Sequence, residues 1–573
     1  MRSHFFKEWL MRPSNLEARR ALADGLGLHP ITAAVLVARG VLSHEQAGAV
    51  LLAEGKVRAD PFLLAGMEAA VDRIRKAVED NERVLVYGDY DVDGTSAAAL
   101  YVRFLRGLGC DPKLYIPHRV KEGYGLNIDA VRRIAATGVS LMMTVDCGTT
   151  SFAEIELAQS LGMDVIVTDH HLPEDTLPAA VAVLNPCRSD SEYPFQGLCS
   201  TGLAFKVASA YATKYGRGAD FLDEHLDLVA LATIADLVPL DSENRWMIRQ
   251  GLQEISHGRR LGLRALKAVA GVDGPCGVGT IGFQLAPRIN AAGRLDDAAD
   301  AVRLLLTEHE DEARTLSESL ERLNRERQQI EERVTAEAIE ALGCGADGTE
   351  PIVLASRSWH PGVVGIVASR LVERYHRPTV LIAVGDQGKG RGSARSIPGV
   401  NIYEGIRQCR QDLDACGGHA AAAGLTIQEH AIPRFRARLM ETLAEPLSRA
   451  PGRRLLCDAE VEPFGLLPAV VRDLDRLGPF GMGNSEPTFV LRRLRISSTR
   501  VVGNNHLKLM LRGARGPALT AFGYGMGAWP EFPPADPVDL ACSLEINTWN
   551  GTEGVQLRLK DVRSSSHGEI ALC

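Results

Sequence analysis

Three carboxylates at alternate positions, Asp89, Asp91 and Asp93, follow directly on the apolar run 84–87 and lead into Gly94. In extended backbone alternate side chains share a face, so the three acids are expected to converge at the carboxyl end of a strand. Like charges held that close repel unless a cation neutralises them. An EF-hand calcium loop would need another periodicity and a closing Glu. Two further apolar runs end in the same way, one in Asp146-Cys147-Gly148 and one in Asp169-His170-His171, and the apolar segment 232–235 delivers a fourth acid, Asp236. One strand-end Asp is often only a helix cap; three sheet edges carrying Asp or His are not explained by capping. Mixed carboxylate and imidazole donors suit Mn²⁺ better than Ca²⁺, and there are more of them than one catalytic ion needs. We expect two divalent cations, Mn²⁺ preferred and Mg²⁺ the alternative, with a phosphodiester bound between them.

Holding a polyanion takes donors that Asp cannot supply. Residues 286–294 contain Arg288, Asn290 and Arg294 beside Gly293, and residues 391–396 contain Ser393 and Arg395. Guanidinium forks match phosphate oxygens. Residues 416–424, with Gly418 and His419, read as a glycine turn leading into a small-residue helix whose free N–H groups meet an anion. The plainer readings are that Arg294 pairs with Asp296 or Asp297 and that the Gly-Gly turn serves tight packing.

The elements that must position these groups alternate between strand and helix from residue 67 to about 239, which implies an α/β domain with a largely parallel sheet. Residues 311–342 lack Gly and Pro, and Leu316, Leu320, Leu323, Ile330 and Val334 form one stripe. That stripe, interrupted at Arg327, fits a coiled-coil dimerisation helix or a helix bridging two domains. A second α/β region follows, and after residue 451 five short β-like runs suggest a small β-barrel. The stretch before residue 55 reads as short helices, with Asn15 capping the first.

Composition excludes other classes. The 573 residues are 45% hydrophobic and 24% charged, with a net charge of −8. These are globular values. The acidic balance rules out a histone-like basic coat but not a local basic site. Eleven cysteines without a CxxC pair argue against a disulfide framework or zinc ribbon. No apolar run approaches the roughly 20 residues of a membrane span, and no signal-peptide core is evident, so a cytoplasmic protein is expected.

The ordered set Asp89-Tyr90-Asp91-Val92-Asp93-Gly94, Asp146-Cys147-Gly148, Asp169-His170-His171 and Ile234-Ala235-Asp236 resembles the four motifs of the DHH phosphoesterase superfamily. Within it the likeness is closest to the single-strand-specific 5′→3′ DNA exonucleases, and it runs over nearly the whole chain. The resemblance implies two α/β lobes, DHH and DHHA1, joined by a long helix and followed by an OB-fold barrel. The expected boundaries are a helical arm at 1–55, DHH at 56–300, the helix at 301–345, DHHA1 at 346–448 and the OB-fold at 452–573. It implies metal ligands at Asp91, Asp93, Asp146, His170 and Asp236. Asp146 and Asp89 count with His171 as catalytic, Asp89 either ligating or orienting the ligands. His171 would act on the scissile phosphate electrostatically or by proton transfer. Arg288, Ser393, Arg395 and His419 match positions that hold the 5′ end, and Arg119 joins them. In the barrel, Arg558, Lys560 and the aromatics Phe522, Tyr524 and Trp549 are candidates for strand contact. Single-stranded DNA, a single-strand-binding protein and a helicase are the implied partners of a monomer. Alternatives are a phosphodiesterase for short oligonucleotides or cyclic dinucleotides, against which the last 120 or so residues argue, and a non-catalytic replication scaffold, which would show eroded ligands.

Overall fold

The computed structural model describes residues 8–52, 58–119, 121–216, 222–343, 348–503, 505–527, 537–549, 552–567 and 570–573. Two compact units emerge, one of residues 58–450 and one of residues 1–57 with 451–573.

In the larger unit, five short strands form a parallel sheet in the order Lys113–Tyr115, Val84–Gly88, Leu141–Val145, Asp164–Thr168, Ala182–Leu184. Val84–Gly88 and Leu141–Val145 are buried at every position. That is why they read as continuous apolar runs rather than alternating ones: helices cover both faces. A second sheet runs Ala415–His419, Ala422–Gln428, Lys389–Arg395, Thr379–Val384, Ile352–Ser356.

The glycine-rich segment in that second sheet corrects one expectation. Residues 415–428 are not a turn and a helix but an antiparallel hairpin, with Gly417 opposite Gly424 and Gly418 opposite Ala423. Small residues here let two backbones approach rather than expose a helix N-terminus.

The helix Glu310–Leu342 spans 33 residues, about 50 Å at 1.5 Å per residue. Its stripe is consumed inside the chain. Leu316, Leu320 and Leu323 are buried, and the helix packs against Leu261–Val269, Ala286–Leu295 and Ala299–Leu306. Further along, Val334 and Ala338 share a core with Trp359, Val364, Val367 and Leu371. The break at Arg327 is filled by charge: buried Glu331 accepts from Arg327 (2.8 Å) and pairs with Arg370 of the helix Val364–Tyr375 (2.6 Å). The helix is a strut between the two sheets' packing layers.

In the smaller unit a six-stranded sheet closes on itself, because Phe489–Val502 pairs with both His506–Arg512 and Val538–Trp549. The helices Leu16–Leu26 and Pro30–Ala38 pack on this barrel, with Leu22 and Leu36 in one core with Leu491, Leu511 and Leu540. Asn15 caps the first helix, its side chain accepting from the Ala18 N–H. Among the described residues no helix is long and apolar enough to cross a membrane.

Candidate metal centre

Three strand ends lie in register. Gly88 pairs with Val145 and Val145 with Thr168, so Asp89, Asp146 and Asp169 all begin loops at one sheet edge, where open α/β sheets bind ligands. The extended alternation expected for Asp89, Asp91 and Asp93 stops at Gly88. Asp91 is the N-cap of the helix Val92–Gly107, accepting from the N–H groups of Asp93 (2.9 Å) and Gly94 (3.0 Å), and Asp93 sits in the first turn. A capping Asp satisfies N–H groups that a helix start leaves orphaned. Gly94 is demanded by this turn, since a Cβ would lie 2.5 Å from the Asp89 carbonyl oxygen. Asp146 has φ +62°, an uncommon conformation that Asp tolerates.

A second helix aims its N-terminus at these acids. The Ser200 N–H donates to Asp93 Oδ2 (2.6 Å), and the Thr201 N–H and hydroxyl donate to Asp93 Oδ1 (2.8 and 2.7 Å). The Ser200 hydroxyl donates to Asp146 Oδ1 (3.1 Å). Backbone donors and the helix dipole together favour negative charge at that point.

His170 Nε2 lies 3.3 Å from Asp146 Oδ1, 3.4 Å from Asp236 Oδ2 and 3.9 Å from Asp93 Oδ2. Yet it makes no hydrogen bond, and neither does buried Asp89 Oδ1. Buried polar atoms without partners are rare. Donor atoms of Asp93, His170 and Asp236 lie within 4.8 Å of one another, as do those of Asp89, Asp91 and Asp146 and those of Asp146, His170 and His171. Burial, then repulsion by neighbouring carboxylates, pushes Asp89 and Asp146 well above the usual range and Asp236 up to about 9. Burial pushes His170 down, toward the neutral form that ligates. Orphaned donors, mixed oxygen and nitrogen chemistry and uncompensated charge all fit divalent cations.

His171 is set differently. Burial works to lower its pKa, but its Nδ1 lies 2.7 Å from Asp169 Oδ1, and this pairing lifts the imidazole to about 9. Asp169 is held well below the usual carboxylate range by the same pairing, against burial. The Tyr124 hydroxyl donates to the Asp146 carbonyl (3.0 Å) and lies 3.2 Å from His171 Nδ1.

Basic groups gather beside this centre. Arg119 lies over the Tyr90 ring at 4.4 Å. Arg294 donates to the Gly362 carbonyl (3.0 Å), and Arg395 to the Ser393 hydroxyl (3.0 Å) and Ala394 carbonyl (2.8 Å). Burial, then repulsion from Arg119, lowers Arg294 to about 9 and moves Arg395 the same way. His419 is pushed down by burial, Arg395 and His171. Among the described residues no carboxylate lies within ion-pair distance of Arg119, Arg294 or Arg395, so Arg294 does not pair with Asp296 or Asp297.

Domain-family models match this architecture in order: the DHH family N-terminal domain at residues 83–233, the DHHA1 domain at 349–445 and the RecJ OB domain at 457–561. The single-stranded-DNA-specific exonuclease RecJ of Bacillus subtilis is 37% identical over 97% of this chain and 71% of its own length. The chain belongs to the RecJ family. The crystal structure of Thermus thermophilus RecJ with Mn²⁺ superposes with a TM-score of 0.84 at 33% identity, covering 99% of this chain and 80% of that one. The same protein with Mg²⁺ gives 0.79 at 31% identity, covering 99% and 79%. Divalent metal thus accompanies this fold in RecJ, as the acid and imidazole donors here require.

Three further residues selected from sequence are held within the chain as follows. Arg288 pairs with Glu321 of the long helix (2.6 Å) and donates to the Gln284 carbonyl (2.5 Å). Asn290 accepts from the Val92 N–H (3.2 Å), bracing the metal loop. Gly418 has φ +143°, and a Cβ there would lie 2.5 Å from the Ala422 carbonyl oxygen, so the hairpin needs it. Sequence reasoning missed Ser200, Thr201 and Tyr124 and gave Asp169 no role of its own. A hydroxyl pair opening a helix was the available signal for Ser200-Thr201; nothing local marks Tyr124.

Proposed function

We propose that this chain is a metal-dependent exonuclease that hydrolyses single-stranded DNA from its 5′ end and releases nucleoside 5′-monophosphates. The observation that carries the reading is the juxtaposition of the acid–imidazole centre with His419 and with Arg119, Arg294 and Arg395, cationic donors that have no acidic partner among the described residues. Two divalent cations, held by Asp91, Asp93, Asp146, His170 and Asp236 with Asp89 completing the set, would neutralise phosphate charge and activate water. Ser200 and Thr201 hold Asp93 and Asp146 in place for that role. Asp169 fixes His171 by its Nδ1 and keeps the ring charged at neutral pH, so that it offers positive charge or a proton to a phosphoryl oxygen.

The basic cluster with Ser393 grips the terminal phosphate. A terminal pocket at fixed distance from the metals gives the enzyme its polarity. In the barrel, Phe522 and Tyr524 (ring centroids 4.8 Å apart), His506 and Arg558, which lies 5.4 Å over Tyr524, form a surface patch for the rest of the strand. The side chain of Trp549 lies outside the described residues. Lys560 instead donates to the Glu486 carbonyl and the Thr488 hydroxyl. A single-strand-binding protein and a helicase are partners this substrate calls for, and the chain acts as a cytoplasmic monomer, its long helix already covered.

Digestion of 5′-labelled and 3′-labelled single strands with Mn²⁺, Mg²⁺ or chelator tests the reading. Immediate release of labelled mononucleotide from the 5′ end, lost with chelator, is the expected outcome; release from the 3′ end first refutes it.

A further inference from the structure

A fourth strand end reaches the sheet edge that carries the acids. Asn185 directly follows the strand Ala182–Leu184, whose Leu184 pairs with Thr168, so it stands in line after Asp89, Asp146 and Asp169. The Leu184 carbonyl accepts from the Asp169 N–H (3.1 Å), which fixes the spacing of these two strand ends. Asn185 is 1% exposed. A buried amide is costly unless its hydrogen bonds are made, and here both of its N–H groups and its oxygen are engaged.

Asn185 Nδ2 donates to the His171 carbonyl (2.7 Å) and to the Thr149 hydroxyl (3.1 Å), while Oδ1 accepts from the Cys187 N–H (2.8 Å). A carbonyl only accepts and an N–H only donates, so the amide has one admissible orientation. Thr149, itself buried, passes the contact on: its N–H donates to Asp169 Oδ2 (3.0 Å). The other oxygen, Asp169 Oδ1, meets the His171 N–H (3.2 Å) and the ring Nδ1 (2.7 Å). One amide therefore grips the main chain of His171 directly and, through Thr149, the partner of its ring. The ring needs such support, because the His171 side chain is 49% exposed and packing alone does not fix an imidazole half in solvent.

We propose that Asn185 is a positioning residue for hydrolysis, setting where the His171 ring stands relative to the scissile phosphate. This rests on the nuclease reading and deepens it. The contacts of Asn185 tie the segments that follow Leu141–Val145, Asp164–Thr168 and Ala182–Leu184 into one frame. A reacting group displaced by a fraction of its bond reach loses rate in the chemical step while substrate still binds. Supporting residues of this kind typically govern activity by about 10–100-fold.

The test is steady-state hydrolysis of a 5′-phosphorylated oligothymidylate in Mn²⁺ by the full chain and by Asn185→Ala. The expected result is a kcat lowered about 10-fold or more, with KM and Mn²⁺ affinity within about two-fold. In the His171→Ala background, read with enzyme in excess so that slow rates are measurable, Asn185→Ala is expected to cost less than about two-fold more, since the ring it serves is gone. Thr149→Val removes the hydroxyl but keeps the N–H to Asp169; it is expected to lower kcat in the same sense, and Thr149→Ser to restore it. That pair decides the matter if Asn185→Ala fails to fold. An unchanged kcat in Asn185→Ala, an equal loss with and without His171, or an unimpaired Thr149→Val overturns the positioning role. A wild-type enzyme inert on single strands would overturn the nuclease reading itself, which keeps the two failures distinct.

Discussion

Asp146 and Thr201 act at the scale of single atoms. Asp146 combines a left-handed backbone with a carboxylate between His170 and Ser200. Asp146→Asn keeps a residue that tolerates φ > 0 while removing the charge. We expect nuclease activity to fall at least 100-fold with circular dichroism unchanged; retained activity would mean that the carboxylate does not ligate. Thr201 gives the Asp93 carboxylate two hydrogen bonds, and supporting contacts of this kind typically govern metal affinity by about 10–100-fold. Thr201→Val should weaken Mn²⁺ binding in calorimetry toward that range, whereas Thr201→Ser should not. Of these two residues, the sequence marked Asp146 through its strand-end motif. Thr201 lies 108 residues from Asp93, and no local pattern announces a contact of that separation.

Elements meet where side chains are absent or charged. Gly293 lets the helix Ala286–Leu295 touch the metal loop, since a Cβ there would lie 2.3 Å from the Tyr90 carbonyl oxygen. Gly293→Ala must push the helix away, and overpacking of this kind costs about 1–3 kcal/mol; a lowered melting temperature together with weaker Mn²⁺ binding is the expected signature. On the long strut, buried Glu331 holds Arg327 and Arg370. Removing one partner of a buried pair leaves uncompensated charge, so Glu331→Ala should destabilise by roughly 3 kcal/mol in denaturant unfolding. An effect near zero would place that network among exposed, dispensable pairs. The sequence showed an apolar stripe broken at Arg327. It could not distinguish a dimer seam from a bridge, because both present the same stripe and differ only in what covers it.

For the whole molecule, the amino-terminal arm and the carboxyl-terminal barrel share one core, with Leu22 and Leu36 packed among Leu491, Leu511 and Leu540. Deleting 451–573 alone should leave the arm's apolar face bare and cause aggregation, whereas a chain of residues 58–450 should stay soluble and fold, as light scattering and circular dichroism would report. The acidic centre makes a second global prediction. Divalent metal relieves repulsion that exists only in the folded state, so Mn²⁺ at about 100 times its dissociation constant should stabilise the protein by about 2.7 kcal/mol. Chelator should reverse that gain, and a melting temperature indifferent to Mn²⁺ would contradict the metal reading.

The sequence by itself determined the strands at 84–87, 140–145 and 164–168, the acids at their ends and the class of chemistry, because strand-end motifs and hydrophobic period are local properties. Only the tertiary structure decided that the alternating acids leave the strand to cap a helix, that Arg288 meets Glu321 and Asn290 the Val92 N–H, and that residues 415–428 form a hairpin. Asn290 meets its partner 198 residues away, and the energy of a buried polar group is set by such a partner rather than by its neighbours in sequence.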